Sequence, residues 1–267
     1  FHDINLELSS KNSNDSGGVI YVIMGISGCG KSTLLKLLAN IEIPVKGNIN
    51  ITPAEALITY LPQDPVLFEH LSREENAKYY KYIQKLQPYY DESSFKKFKN
   101  KLKLDGVLAS TSPVLNMSGG ERQRLALLRA ISVKPKILLL DEPCTGLDIS
   151  VKLEFLNLIR QITDELGLIV LYVTHHMHEA KLIGDKILYV KKEGEECAKV
   201  LLSSIFDFEK IPPSLEAALL INGVELNYCD CEIIEGKITI GNNNFSIGRI
   251  TSDTTELPKC CKIAFPA

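Results

Sequence analysis

Three short stretches are apolar at every position rather than at every second one. They are "VIYVIM" at Val19–Met24, "ILLL" in "KILLLDEP", and "LIVLYV" in "LIVLYVTHH". A strand solvated on one face alternates apolar and polar residues, so unbroken apolar strands must be covered on both faces. Between them, "KSTLLKLLAN" and "LDISVKLEFLNLIRQITDELG" place leucines at helical spacing, the second closing on Gly167. Strands alternating with helices predict an α/β fold with a mostly parallel sheet and helices on both sides. The 267 residues suffice for one large domain, or a large one and a small one.

The first strand runs at once into "GISGCGKST", which matches G-x-x-x-x-G-K-[ST] from Gly25 to Ser32, with Thr33 following. Backbone N–H groups of such a loop wrap phosphates, which makes Gly25, Ser27, Gly28, Cys29, Gly30, Lys31, Ser32 and Thr33 candidate nucleotide-binding residues. Lys31 reaches the β/γ oxygens and Ser32 ligates Mg2+. The competing reading is a plain glycine-rich turn; the strand before and the helix after favour the phosphate loop.

Asp141 and Glu142 close the second run, at a strand's C-terminal end, where ligands of open α/β sheets collect. Asp141 suits the Mg2+ shell and Glu142 the polarisation of an attacking water; alternatively the pair caps the next helix. The third run ends in His175, His176 and His178. Three imidazoles in four residues at a strand-to-helix turn, with no cysteine nearby, do not converge easily on one ion. A single histidine donating to a γ-phosphate fits better, and His175, the first after the strand, is the candidate. Gln63, in "YLPQDPVLF", is by itself a surface glutamine.

"LNMSGGERQRLALLRA" opens a helix with a capping box, Ser118 to Glu121. Two glycines weaken that first turn, yet they let an anion approach a helix N-terminus. The stretch is therefore a cap, a phosphate contact, or both.

Taken in order, the phosphate loop, Gln63, "MSGGERQR", "LLLDEP" with "TGLD", and "VTHHMHEA" resemble the ATPase subunits of ABC transporters over roughly residues 1–200. The resemblance implies a P-loop NTPase with a RecA-like sheet and an inserted helical subdomain at about 64–116. It also implies ATP and Mg2+ as cofactors, Gly25–Thr33 as Walker A, Gln63 as the Q-loop glutamine and a Mg2+ ligand, and Ser118, Gly119 and Gly120 in the signature motif. Asp141 and Glu142 resemble Walker B and the catalytic carboxylate, Asp148 the D-loop aspartate and His175 the switch histidine. Lys31, Gln63, Glu142 and His175 are thus the implied catalytic set. Two copies would clamp two ATP molecules head to tail, each site taking its signature motif from the other copy. The departures are Glu121 where the family commonly has Gln, His176 where it has Asp, and a short span from Lys31 to Gln63 that implies a trimmed antiparallel β-subdomain. The family stacks adenine on an aromatic residue before the first strand, and Phe1 is a poor candidate for it.

Elsewhere, "GNINI" and "ALITYLPQ" are expected to form short strands, and Ser72 to Glu75 forms a second capping box. "DESSFKKFKNKLKL" puts Phe95, Phe98 and Leu102 on one helix face and lysines on the other, a solvated face rather than a nucleic-acid patch. After about Ser203, "NGVELNYCDCEIIEGKITIGNNNFSIGRI" alternates β-rich runs with Asn/Gly turns and predicts a small all-β domain at 204–267, with "KIPPSL" a hinge. It is faintly similar to the OB-like regulatory domains that follow importer ATPases.

With 30 basic against 33 acidic residues the net charge is −3, which gives no footprint for nucleic acid. Seven scattered cysteines favour a reducing, cytoplasmic setting. No apolar run approaches the ~20 residues of a membrane helix and no signal peptide is present, so a membrane role goes through a partner. Starting at Phe1, the chain reads as a fragment. The resemblance then implies a peripheral subunit on the cytoplasmic face of the membrane, partnered by a second copy, a permease and, indirectly, a solute-binding protein. "KYYKYIQKLQPYY" near Gln63 supplies tyrosines for docking, although each alone reads as a partly buried helix position. The alternatives are an exporter's ATPase domain and a soluble ABC ATPase acting on DNA or ribosomes.

Overall fold

The computed structural model describes residues 4, 6–10, 17–193, 197–222, 226–234, 237–240, 243–245 and 260–266. Phe1 and much of the C-terminal turn sequence lie outside them. The chain divides into two units, Phe1–Ile211 and Pro212–Ala267, with the division falling inside "KIPPSL".

The first unit is built on six strands: β1 (Val19–Met24), β2 (Ile58–Leu61), β3 (Ile137–Asp141), β4 (Ile169–Val173), β5 (Lys186–Glu193) and β6 (Cys197–Ser204). Their order across the sheet is β2-β3-β4-β1-β5-β6. Every pairing is parallel except β5 with β6. Every residue of β1 is buried, as unbroken apolar runs require. Because β1 to β4 run the same way, Gly25, Glu142 and Thr174, which directly follow their strands, and Gln63, two residues past β2, all leave the sheet at one end.

Helices α1 (Lys31–Leu38), α5 (Gly119–Ile131), α6 (Ile149–Leu166) and α7 (Met177–Ile183) connect these strands. The carboxyl end of α6 stops on Gly167 in the left-handed conformation. Between β2 and α5 lie three short helices, α2 (Arg73–Ala77), α3 (Glu92–Lys101) and α4 (Asp105–Ala109). Phe95, Phe98 and Leu102 are buried, with the α3 lysines outward. Buried Arg73 ties α2 to the end of this segment by donating to the carbonyls of Val107, Ser112 and Pro113. Buried Asn76 fastens the loop before α2 through Phe68 and Leu71. Ser72 and Glu75 form the reciprocal box that opens α2.

"GNINI" does not form a strand. β-branched residues favour strands only where a neighbour pairs with them, and Ile49 is 39% exposed with no partner strand beside it among the described residues. The first unit also runs past Ser203: β6 pairs along β5, and the short helix α8 (Ile205–Lys210) follows. The second unit opens on a helix, α9 (Leu215–Asn222), whose Leu/Ala-rich sequence outweighs the β texture expected there. Its strands β7 (Leu226–Ile234), β8 (Lys237–Ile240), β9 (Asn243–Phe245) and β10 (Cys260–Pro266) form an antiparallel sheet in the order β10-β7-β8-β9.

Candidate functional site

The loop from β1 to α1 is shaped by two left-handed glycines, Gly28 at φ 74° and Gly30 at φ 101°. Gly30 is the N-cap of α1, and no side chain caps that helix. Its first N–H groups have no intrahelical acceptor and stand ready for an anion. Lys31 is buried, and its Nζ donates to the carbonyls of Gly25 at 2.9 Å and Ile26 at 3.0 Å, folding the ammonium back over the loop. Ser27, Gly28, Ser32 and Thr33 are exposed along it. Cys29 instead joins the hydrophobic core, and burial pushes its thiol up, so only its backbone is free to meet a phosphate. The uncapped helix start and the loop-bound lysine fit a nucleotide's phosphates.

Ser32 Oγ donates to Asp141 Oδ1 at 3.0 Å. Two hard oxygens this close suit a Mg2+ ion, and Asp141 is only 6% exposed. The other Asp141 oxygen accepts from the Tyr60 hydroxyl at 3.1 Å. Burial, then the Asp141 charge, hold that hydroxyl well above the usual tyrosine range, so it stays a donor. Tyr60 was not among the residues the sequence singled out; its place one residue before the end of β2, beside β3, was the only signal.

Glu142 follows Asp141 with φ 44°, a strained conformation for a residue with a side chain, costing on the order of 1–3 kcal/mol. Its N–H donates to Val173 O at 3.2 Å, and its carbonyl accepts from Thr145 N at 3.1 Å. Thr145 Oγ1 also donates to Glu142 Oε2 at 3.3 Å. In this pose Glu142 Oε1 lies 3.4 Å from His175 Nδ1. The acidic pair therefore does not cap α6; that role falls to Asp148, whose side chain makes no capping bond. The rings of His175 and His176 lie 3.9 Å apart, and burial followed by the His175 charge pushes His176 down. Among the described residues no group of three or more His, Cys, Asp and Glu is arranged to hold a metal.

At the start of α5, Ser118 Oγ accepts from Glu121 N at 3.3 Å, and Glu121 Oε2 accepts from Ser118 N at 2.8 Å. The capping box is complete. The two glycines differ. A β-carbon on Gly120 would lie 2.8 Å from Val151 Cγ1 of α6, so Gly120 is there for helix packing. Gly119 is exposed, and a β-carbon there would meet Leu147 Cδ2 at an ordinary 3.5 Å. Gly119 lines a cavity of about 290 Å3 with Gln63, Asp64, Gln123, Thr145 and Gly146, and no residue of the Gly25–Thr33 loop borders it. Buried Gln123 donates to the Gln63 carbonyl at 2.9 Å, while the Gln63 side chain is exposed and makes no hydrogen bond to Ser32 or Asp141 among the described residues.

The tyrosine run separates likewise. Tyr79 lies against Phe68, Tyr80 against Arg129, and Tyr90 on Glu92, leaving Tyr82 and Tyr89 exposed.

A family model described as ABC transporter matches residues 9–145, just over half of the chain. The chain belongs to the ABC transporter family. It is 33% identical over 186 residues to the Fe(3+) ions import ATP-binding protein FbpC of Fusobacterium nucleatum. That alignment takes in 67% of this chain and 49% of the relative, so the chain spans about half the length of the curated relative it matches. A chain from a structure described as an inward-facing conformation of a metal-chelate type ABC transporter superposes with TM-score 0.65 at 20% identity, covering 98% of this chain and 89% of that one. At that identity the likeness is one of fold. Within the ABC fold the family match spans the phosphate loop, Gln63, the Ser118 helix start, Asp141 and Glu142. Asp148 and His175 lie beyond the matched residues.

Proposed function

We propose that this chain is the ATP-hydrolysing subunit of an ABC importer, working as a head-to-tail dimer on the cytoplasmic face of a membrane. The observation that carries the reading is the Glu142–His175 contact at 3.4 Å, set beside the Ser32–Asp141 pair at the mouth of the phosphate loop. Phosphoryl transfer to water asks mainly for positioning and charge stabilisation. The α1 N-terminus and the loop N–H groups would hold the phosphates, and Lys31 would turn from its two carbonyls toward the β/γ oxygens. Ser32 and Asp141 would hold Mg2+, with Gln63 completing the set from its loop. Mg2+, when bound, supplies positive charge against the negative charge that develops on the transferring group. Glu142 orients the attacking water and takes up its proton. His175 fixes the Glu142 carboxylate and donates to the γ-phosphate oxygen.

Gly119, on the self-sufficient α5 start, would complete the site of a second copy. The cavity it borders contains no residue of its own chain's phosphate loop, which supports this. Among the described residues no helix is long and apolar enough to cross a membrane, so the transport path would belong to a permease, with exposed Tyr82 and Tyr89 available for docking. A solute-binding protein would deliver the cargo. The name of the Fusobacterium relative, Fe(3+) ions import, supports a metal ion as that cargo.

The test is phosphate release by the purified chain, with and without Mg2+, followed by identification of the membrane proteins that co-purify with it. Mg2+-dependent turnover and a permease partner are expected. Nucleic acid or ribosomal partners, or a transmembrane region fused to the same chain, would overturn the importer reading.

A further inference from the structure

Behind Glu142 and His175 lies a buried carboxylate that none of these steps uses. Glu179, in the first turn of α7, is 3% exposed. Its Oε2 accepts from the Tyr172 hydroxyl at 2.7 Å and from Thr174 Oγ1 at 2.8 Å. Its Oε1 pairs with Lys152 Nζ of α6 at 2.9 Å. Burial pushes this carboxyl up, and the bonds from Tyr172, Lys152 and Thr174 outweigh it, so the group is held ionised. Hydrogen bonds to a desolvated charge are the strong ones, and removing the side chain strands every donor around it.

The connections lead to the reacting pair. Thr174 Oγ1, while donating to Glu179, accepts from the N–H of His176 at 3.1 Å. That bond fixes the peptide linking His175 to His176. Tyr172 and Thr174 also flank Val173, whose carbonyl receives the Glu142 N–H at 3.2 Å. One carboxylate thus grips the end of β4, which carries His175 and whose Val173 carbonyl holds the Glu142 N–H. Lys152 adds α6, and its N–H donates to the carbonyl of Asp148 at 2.8 Å.

We infer that Glu179 is a positioning residue for hydrolysis, setting the approach of His175 to Glu142 through Thr174 and Tyr172. The inference rests on the roles proposed above for those two residues. Glu179 touches no substrate; it acts only by fixing where others stand, and small misplacements of reacting groups are expensive.

The test compares steady-state ATP hydrolysis by the whole chain carrying Glu179→Ala, Glu179→Gln, Thr174→Val, and Thr174→Val with Glu179→Ala together. Glu179→Ala should lower kcat by about 10-fold to 10²-fold. Its KM for ATP should stay within about two-fold, the mark of a group that matters only beyond ground-state binding. Thr174→Val, which cuts the relay and keeps the fold's shape, should show the same split with a smaller loss. Glu179→Gln still accepts from both hydroxyls and should restore most of the turnover. The double variant should be no slower than Glu179→Ala, because residues acting through one another do not add. Wild-type kcat in Glu179→Ala, independent multiplication of the two losses, or KM rising in step with falling kcat would each overturn the inference. If Glu179→Ala does not fold, Thr174→Val decides: unchanged turnover there overturns it. Glu142→Gln, run alongside, separates the two levels, since full turnover in that variant would strike the reading of the pair itself rather than the role of Glu179.

Discussion

Two helices of this chain start at a glycine-containing turn beside the candidate chemistry, and they solve the same problem in opposite ways. Every α-helix begins with N–H groups that have no partner. At α5 the chain satisfies two of its open N–H groups internally, with Ser118 and Glu121 exchanging bonds. At α1 it leaves them open, with Gly30 at the cap, no side chain in reach, and Lys31 folded over the loop. A helix start that lacks its own acceptor leaves its N–H groups to water or a ligand; one with a capping box is ordered by itself and can present its remaining N–H groups to something held elsewhere. The first arrangement suits binding within the chain, the second contact with something already held elsewhere.

Four substitutions break or sharpen this contrast. Gly119→Asp should have the largest effect, and only on assembly. A carboxylate facing a phosphate costs several kcal/mol, so ATP-driven dimerisation should weaken on the order of 10³-fold. Light scattering with and without ATP would read it, with ATP binding by the monomer unchanged; loss of monomer binding would place α5 in the chain's own site. Glu142→Gln should slow phosphate release by at least ~10²-fold, the low end for losing an acid–base group, with nucleotide binding retained. Unchanged turnover would remove Glu142 from the chemistry.

Lys31→Ala tests the open helix start. Hydrogen bonds to charged groups are worth about 1.5–3 kcal/mol, so the Kd for ATP, read by fluorescence titration, should rise about 10-fold to 10²-fold. Ser118→Ala should have the smallest effect, about 1 kcal/mol of stability measured as a shifted denaturant midpoint, with monomer binding of ATP unaffected. A comparable loss of ATP binding in Ser118→Ala would erase the distinction between the two starts.

Much of the site was legible because its motifs are local. A phosphate loop is one turn between one strand and one helix, and a capping box spans four residues, so spacing alone carries both. The apolar runs similarly announced strands buried on two faces, and β1 is buried throughout. Local reasoning failed where a residue's fate depends on a distant neighbour. "GNINI" has strand-forming residues and, among the described residues, no strand to pair with. "LEAALLIN" forms a helix inside a stretch read as all-β. The two glycines of the first turn of α5 look alike in sequence, but Val151, on α6, makes one a packing residue and leaves the other exposed.

The sequence by itself therefore determined the class of fold, the phosphate loop, the capped start of α5 and the strand ends where chemistry collects. Only the tertiary structure decided which side chains meet there. Tyr60 reaches Asp141, Gln123 holds the Gln63 loop, and Glu179 gathers Tyr172, Thr174 and Lys152 beneath His175. The physical reason is one of range: backbone hydrogen bonding and periodicity act over a few neighbouring residues and are written in order along the chain. Side-chain partnership across a parallel sheet depends on which strands lie side by side, and that is fixed by packing.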